Sequence, residues 1–183
     1  MTMPGSPRGG LSSSQGNAAI NPFPDFFSCP PASVTAFSAL SGANRGIFVR
    51  LERAAAARTI AKLRLRFNTQ SGNYDVGLFS SDGTTLTRVA SMGSQAVPAA
   101  GVATNTLAAS IVQAAGGDYY ATLTLDNAVA TFLVGAGIRA SDAGGIGGRV
   151  YLSVPAVFPL PATVLISSLI AGGVIPYIVG GPT

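Results

Sequence analysis

The clearest polarity pattern in the chain lies between residues 59 and 91. From Thr59 to Phe67, Ala61, Leu63, Leu65 and Phe67 alternate with Lys62, Arg64 and Arg66. Successive strand side chains point to opposite faces, so this period of two predicts a β-strand with one buried face and one wet or partner-facing face. A polar turn over 68–73 contains Ser71-Gly72-Asn73, after which Tyr74, Val76 and Leu78 alternate with Asp75 and Gly77. Asp82-Gly83 is a short-range hairpin signal, and a third strand over 85–90 follows it. The alternation predicts a three-strand meander from which the rest of the chain extends.

Similar patterns flank it. Ile47, Val49 and Leu51 oppose Phe48, Arg50 and Glu52, predicting a first strand joined by a hairpin connection over 54–57 to the strand at 59–67. Residues 102–108 read as a strand, with Ile111 and Val112 continuing onto the next. In 119–125, Tyr119, Ala121, Leu123 and Leu125 oppose Tyr120, Thr122 and Thr124, and Asp126-Asn127 turns the chain into 129–134. About eight short strands, with turn signals every eight to twelve residues, predict an all-β fold: an antiparallel β-sandwich, jelly-roll-like.

The ends depart from this pattern. Residues 1–20 are rich in Gly, Ser, Pro and Asn, a composition that cannot bury enough apolar surface to fold alone. Residues 20–44 combine Phe23, Phe26 and Phe27 with Pro22, Pro24, Pro30 and Pro31, and proline at this density prevents helix and removes ladder donors. Two readings stay open for these aromatics: insertion into a neighbour's groove, or packing along the chain's own domain. The division predicted is an extended N-terminal attachment arm over 1–44 and a sandwich domain over 45–183 with an apolar C-terminal segment. Residues 135–149 are glycine-rich and read as a long loop or crossover. From 150 to 183 the chain carries no charge. Prolines leave only a run from Ala162 to Ile175, short of the about twenty apolar residues a membrane helix needs, so no membrane span is expected. Burial in a subunit interface is the expectation for this tail.

Charge sharpens the picture. Charged residues are 10% of the 183, against about 25% in ordinary domains, which predicts an exterior partly covered by other chains. The formal net charge is +4, and Arg45, Arg50, Arg53, Arg58, Lys62, Arg64 and Arg66 fall in one short span. Arginine's planar fork suits protein interfaces and phosphates. The cluster lacks interleaved aromatics and any recognised nucleic-acid motif, so it reads as a solvated or subunit-facing sheet face and no nucleic-acid partner is expected. Phe23, Phe26, Phe27, Arg50, Arg64 and Arg66 are the candidate partner-interface residues.

Candidate chemistry is sparse. The chain has no histidine and one cysteine, Cys29, which excludes an internal disulfide, a Cys/His zinc site of the usual spacing and Ser-His or Cys-His nucleophiles. Asp82, Asp118 and Asp126 sit at turns, where Asp bonds its own backbone. Asp82 with Asp126 has no EF-hand spacing to support calcium. No Gly-Lys-Ser/Thr occurs, and no dinucleotide fingerprint opens a helix. No catalytic residue, metal or cofactor is predicted. Tyr74, Tyr119 and Tyr120 could stack on a sugar, with Tyr119 and Tyr120 the candidate platform.

Several segments taken together resemble a known family. Residues 59–67, Ser71-Gly-Asn-Tyr-Asp-Val-Gly-Leu-Phe, Asp82-Gly-Thr-Thr-Leu, Gly117-Asp-Tyr-Tyr-Ala, Phe158-Pro-Leu-Pro and Ile175-Pro-Tyr-Ile resemble a β-sandwich domain recurrent in tailed-bacteriophage virion proteins. Such domains occur in tail and baseplate appendages, head fibres and capsid decorations, usually as trimers, and share no active site. The resemblance covers residues 45–180 and implies a non-enzymatic structural subunit of the virion. On that reading it is a homotrimer attached to capsid or tail proteins through residues 1–44. The alternative it implies is a carbohydrate-binding, receptor-recognition module of a tail appendage.

Overall fold

The structure is a computed structural model that describes residues 26–27, 34–51, 53–135, 150–153, 157–171 and 174–182. Among them, β-strands dominate and every strand pairing is antiparallel. The first sheet contains β1 (Phe26–Phe27), β2 (Val34–Ser38), β4 (Arg58–Thr69), β8 (Gly101–Gln113), β10 (Thr131–Gly135), β14 (Ile175–Pro176) and β15 (Val179–Gly181). The second runs in the order β12 (Thr163–Leu165), β6 (Thr85–Ser91), β5 (Asn73–Ser81), β9 (Tyr119–Leu125), β3 (Arg45–Arg50), β11 (Val150–Ser153) and β13 (Leu169–Ala171), with β7 (Gln95–Ala96) beside β5. Two sheets with a shared core make the predicted β-sandwich.

The strands fall where alternation placed them, but their partners differ from the expected meander. β5 and β6 do form a hairpin, closed at Asp82-Gly83, where Gly83 has φ +94°. β4, however, belongs to the opposite sheet, as do β3 relative to β4 and β10 relative to β9. The connections at 51–57, 70–72 and 126–130 therefore cross between sheets rather than closing hairpins. Alternation reports which face of a strand is buried; it carries no information about which strand lies beside it.

The core between the sheets takes Leu63, Leu65 and Phe67 from β4, Ile47 and Val49 from β3, Tyr74, Val76 and Leu78 from β5, and Leu123 and Leu125 from β9. Phe67 and Tyr74 meet edge to face across it at 4.8 Å, an arrangement favoured by the ring quadrupoles. One inward position differs from expectation. The β4–β8 register shifts between Ile60 and Lys62, so Ile60 is fully buried while Ala61 is only half-buried. Such an irregularity moves the inward set by one residue.

A second apolar cluster covers the outer face of the second sheet. Phe48, Phe79, Leu86 and Tyr120 pack there against Val157, Leu160, Val164 and Leu169 from the C-terminal segment. Hydrogen bonds fasten this strap: Val157 N–H to Asn44 O at 2.7 Å, Arg88 N–H to Ala162 O at 2.8 Å, and Ile166 N–H to Thr84 O at 2.9 Å. Gly46 and Gly77 lie beneath it. A Cβ on Gly46 would sit 2.8 Å from Val157 Cγ2, and one on Gly77 would sit 2.6 Å from Ala90 O and 2.9 Å from Leu160 Cδ1. The strap explains why 74–79 and 120–125 are buried on both faces, where alternation predicted one wet face.

The uncharged tail, expected in a subunit interface, packs part of its described length against its own chain, with Val157, Leu160, Val164 and Leu169 in the second cluster and Ile175 and Ile178 in the main core, while Leu165 and Ile170 are 55% and 49% exposed. Parts of the expected arm are also in the domain's sheet. Phe26 pairs with Gly180 and Phe27 with Val179, Phe37 pairs with Leu133, and Leu40 is buried in the core. Phe23, Cys29 and the glycine-rich 136–149 lie outside the described residues.

Candidate interaction surfaces

The outward face of the first sheet carries the most ordered arrangement of charge. Lys62, Arg64 and Arg66 alternate with the buried residues of β4 and form one row, with successive members about 7 Å apart. Across the ladder they face Thr106, Thr104 and Val102 of β8. Arg66 extends over the ring of Phe37, 5.7 Å from its centroid, a cation–π geometry. Phe37 and Val102 are 39% and 65% exposed, so two apolar groups flank Arg66 at one end of the row.

Arg50 is engaged within the chain. Its Nη2 donates to Asp118 Oδ1 at 2.6 Å, and Arg53 forms a bidentate contact with the same carboxylate at 2.8 and 2.9 Å. The Arg53 hydrogen bond and then Arg50 hold the Asp118 carboxyl far below the usual carboxylate range. Asp118 is therefore held by two arginines on other segments rather than by its own turn. Asp126 anchors a different junction. It accepts from Asn73 N–H at 2.8 Å and Asn73 Nδ2 at 2.9 Å, and Gly72, at φ +57°, has no room for a Cβ beside Asp126 Oδ1. Burial by itself would raise its pKa, but the hydrogen bonds from Asn127 and Asn73 outweigh that and lower it. Asp82 behaves as its turn predicts, accepting from Thr84 and Thr85 N–H, which lower its pKa.

Asp75 is the carboxylate that alternation misplaced. Predicted on a wet face, it is fully buried beneath the strap, where Leu160 N–H donates to Oδ2 at 3.2 Å. Burial pushes its pKa up. Its Oδ1 and the hydroxyl of Thr122 on the same face have no hydrogen-bond partner among the described residues. Arg88 clamps the same residue of the strap from the other side, donating to Leu160 O.

The tyrosine platform does not form. Tyr120 is 4% exposed and packs in the second cluster, while Tyr119, on the other face of β9, is half-buried with its hydroxyl accepting from Ala114 N–H at 3.3 Å. Adjacent strand residues point to opposite faces, so these rings cannot share one surface. Tyr74 is buried as well, its hydroxyl donating to Asn105 Oδ1 at 2.5 Å. Asn105 Nδ2 in turn donates to Leu63 O at 3.1 Å.

Above this buried pair lies a feature that side-chain patterning did not signal. An open cavity of about 390 Å³ runs between the 92–98 segment and β8, walled by Met92, Gln95, Ala96 and Pro98 on one side and by residues 103–106 on the other. No charged side chain lines it. Elsewhere the described carboxylates stand apart, and no group of three or more His, Cys, Asp or Glu that could hold a metal occurs among the described residues. No described helix is long and apolar enough to cross a membrane. No protein-family model matches the chain, and no curated protein matches it.

Proposed function

We propose that this chain is a non-enzymatic structural subunit of a bacteriophage virion, an accessory or decoration protein that joins capsid or tail through its N-terminal residues and the basic face of its first sheet. The observation that carries the reading is the row of Lys62, Arg64 and Arg66, with exposed Phe37 and Val102 beside Arg66, on a sheet face outside the core. Such a mixture of arginine and apolar surface suits protein contact. The attribution to a virion rests on the sequence resemblance over 45–180, and trimeric assembly belongs to the same proposal. Residues 1–25, poor in charge and rich in proline and glycine, supply the reach of an attachment arm.

Deleting residues 1–25, which spares β1, should leave the sandwich folded, by circular dichroism and thermal melting, and abolish incorporation into particles. Full incorporation of the truncated protein would refute attachment through the arm. The alternative, a carbohydrate-binding receptor-recognition module, loses its Tyr119–Tyr120 platform to the burial of Tyr120. It would now need a different site.

A further inference from the structure

The row on β4 has a fixed spacing and a one-sided charge. Lys62, Arg64 and Arg66 occupy successive outward positions of one strand, so they repeat at about 7 Å. Exposed Thr104 and Thr106 of β8 lie beside them across the ladder. The strands of the first sheet contain no acidic residue. The four described carboxylates all belong to the second sheet and its turns: Asp75 on β5, Asp82 between β5 and β6, and Asp118 and Asp126 at the two ends of β9. Opposite charge on a facing surface is what steers and registers such a face onto a partner.

We propose that this face receives an acidic, extended segment of a different protein, with carboxylates at alternate positions and an apolar residue at the Arg66 end. The proposal rests on the reading of this face as an attachment surface and names the chemistry of what attaches. An extended polypeptide repeats at the same about 7 Å between alternate side chains, so acidic residues at every second position meet the three cations one to one. Phe37 and Val102, beside Arg66, then seat an apolar side chain at that end. A second copy of the chain cannot supply this complement. Its two acidic residues nearest in sequence, Asp75 and Asp82, are seven positions apart, so no strand of it presents acids at alternate positions. Asp75 is moreover buried, Asp118 is clamped by Arg50 and Arg53, and Asp126 accepts from Asn73. A nucleic-acid strand would use ring faces along the row as stacking platforms, and the described ring beside it, Phe37, already has Arg66 over it.

The test titrates the full-length chain at low ionic strength with a synthetic peptide. The peptide has glutamate at three alternate positions, threonine between them and leucine two positions beyond each end. Its control is an isomer with the three glutamates contiguous. We expect the alternating peptide to bind at least threefold more tightly than the isomer. Arg66→Glu, with unchanged thermal melting, should weaken it about fivefold, and a peptide with lysine in place of one terminal glutamate should recover binding to that variant. Lys62→Gln should weaken the original peptide about twofold. Equal binding of the two isomers, no binding of either, or no response to Arg66→Glu would overturn the proposal. So would tighter binding of a single-stranded oligothymidylate that Arg66→Glu also abolishes, which would make the face a nucleic-acid surface. Self-association of the chain lost in Arg66→Glu would overturn it in favour of a second copy. Particle incorporation of the 1–25 deletion is scored separately, so a failed titration removes the acidic partner and leaves the virion reading to its own experiment.

Discussion

Gly77 and Asp75 lie two residues apart on β5 and face the same strap, yet they constrain it in opposite ways. Gly77 supplies space. Its absent Cβ admits Leu160 and the Ala90 carbonyl, so Gly77→Ala should destabilise the fold by about 1–3 kcal/mol, the usual cost of overpacking, read as a lower denaturant midpoint at unchanged slope. Asp75 supplies a buried acceptor. Its folded pKa lies above the unfolded one because burial disfavours the charge. The resulting penalty is absent below the unfolded pKa, sets in as pH rises past it and is complete above the folded pKa. Asp75→Asn, which keeps an acceptor for Leu160 N–H, should therefore gain stability at neutral pH, and the gain should fade as pH falls toward 4 in chemical denaturation. Asp118 has the reverse sign. Its folded pKa is depressed by Arg53 and Arg50, so its contribution is present above the unfolded pKa and lost as pH falls below it. Asp118→Asn should flatten the acid limb of the stability profile below about pH 4.

Among the elements, the 157–169 strap turns a two-layer sandwich into one whose second sheet is covered on both sides. Leu160 is 2% exposed and Leu165 is 55% exposed within the same segment. Leu160→Ala should cost about 2–5 kcal/mol by leaving a cavity among Phe48, Phe79 and Leu86. Leu165→Ala should stay within about 0.5 kcal/mol. Equal losses at the two positions would mean that the strap does not pack as described. β4 shows how far alternation reaches at this scale. Its Leu63, Leu65 and Phe67 point inward and its Lys62, Arg64 and Arg66 outward, as the period of two requires. Ile60 breaks the rule because the ladder with β8 slips there. β5 read as half-buried because Asp75 and Gly77 resemble a wet face. The sequence distance of some eighty residues between Asp75 and Leu160 hides the cover that buries them.

At the scale of the whole molecule, the C-terminal segments are woven into both sheets: β12 and β13 in the second, β14 and β15 in the first. A chain ending at residue 156 would lose the strap, Ile175 and Ile178 together. It should fail to give a cooperative unfolding transition rather than survive as a smaller domain. This burial also revises what the low charge content means. Part of the uncharged sequence is accounted for by burial inside one chain, at Leu160, Val164, Ile175 and Ile178.

Local pattern was enough to determine that the chain is all-β, where its central strands run, which side of β4 is apolar and that Asp82-Gly83 closes a hairpin, because these depend on residues within a few positions of one another. It also identified the basic row, since three cations at a period of two must share a face. Strand partners, the burial of Asp75 and Tyr120, the Asp118 clamp and the groove beside β8 were decided only in three dimensions. Each depends on pairing or covering by segments tens of residues away, and periodicity along one strand holds no record of what packs against it.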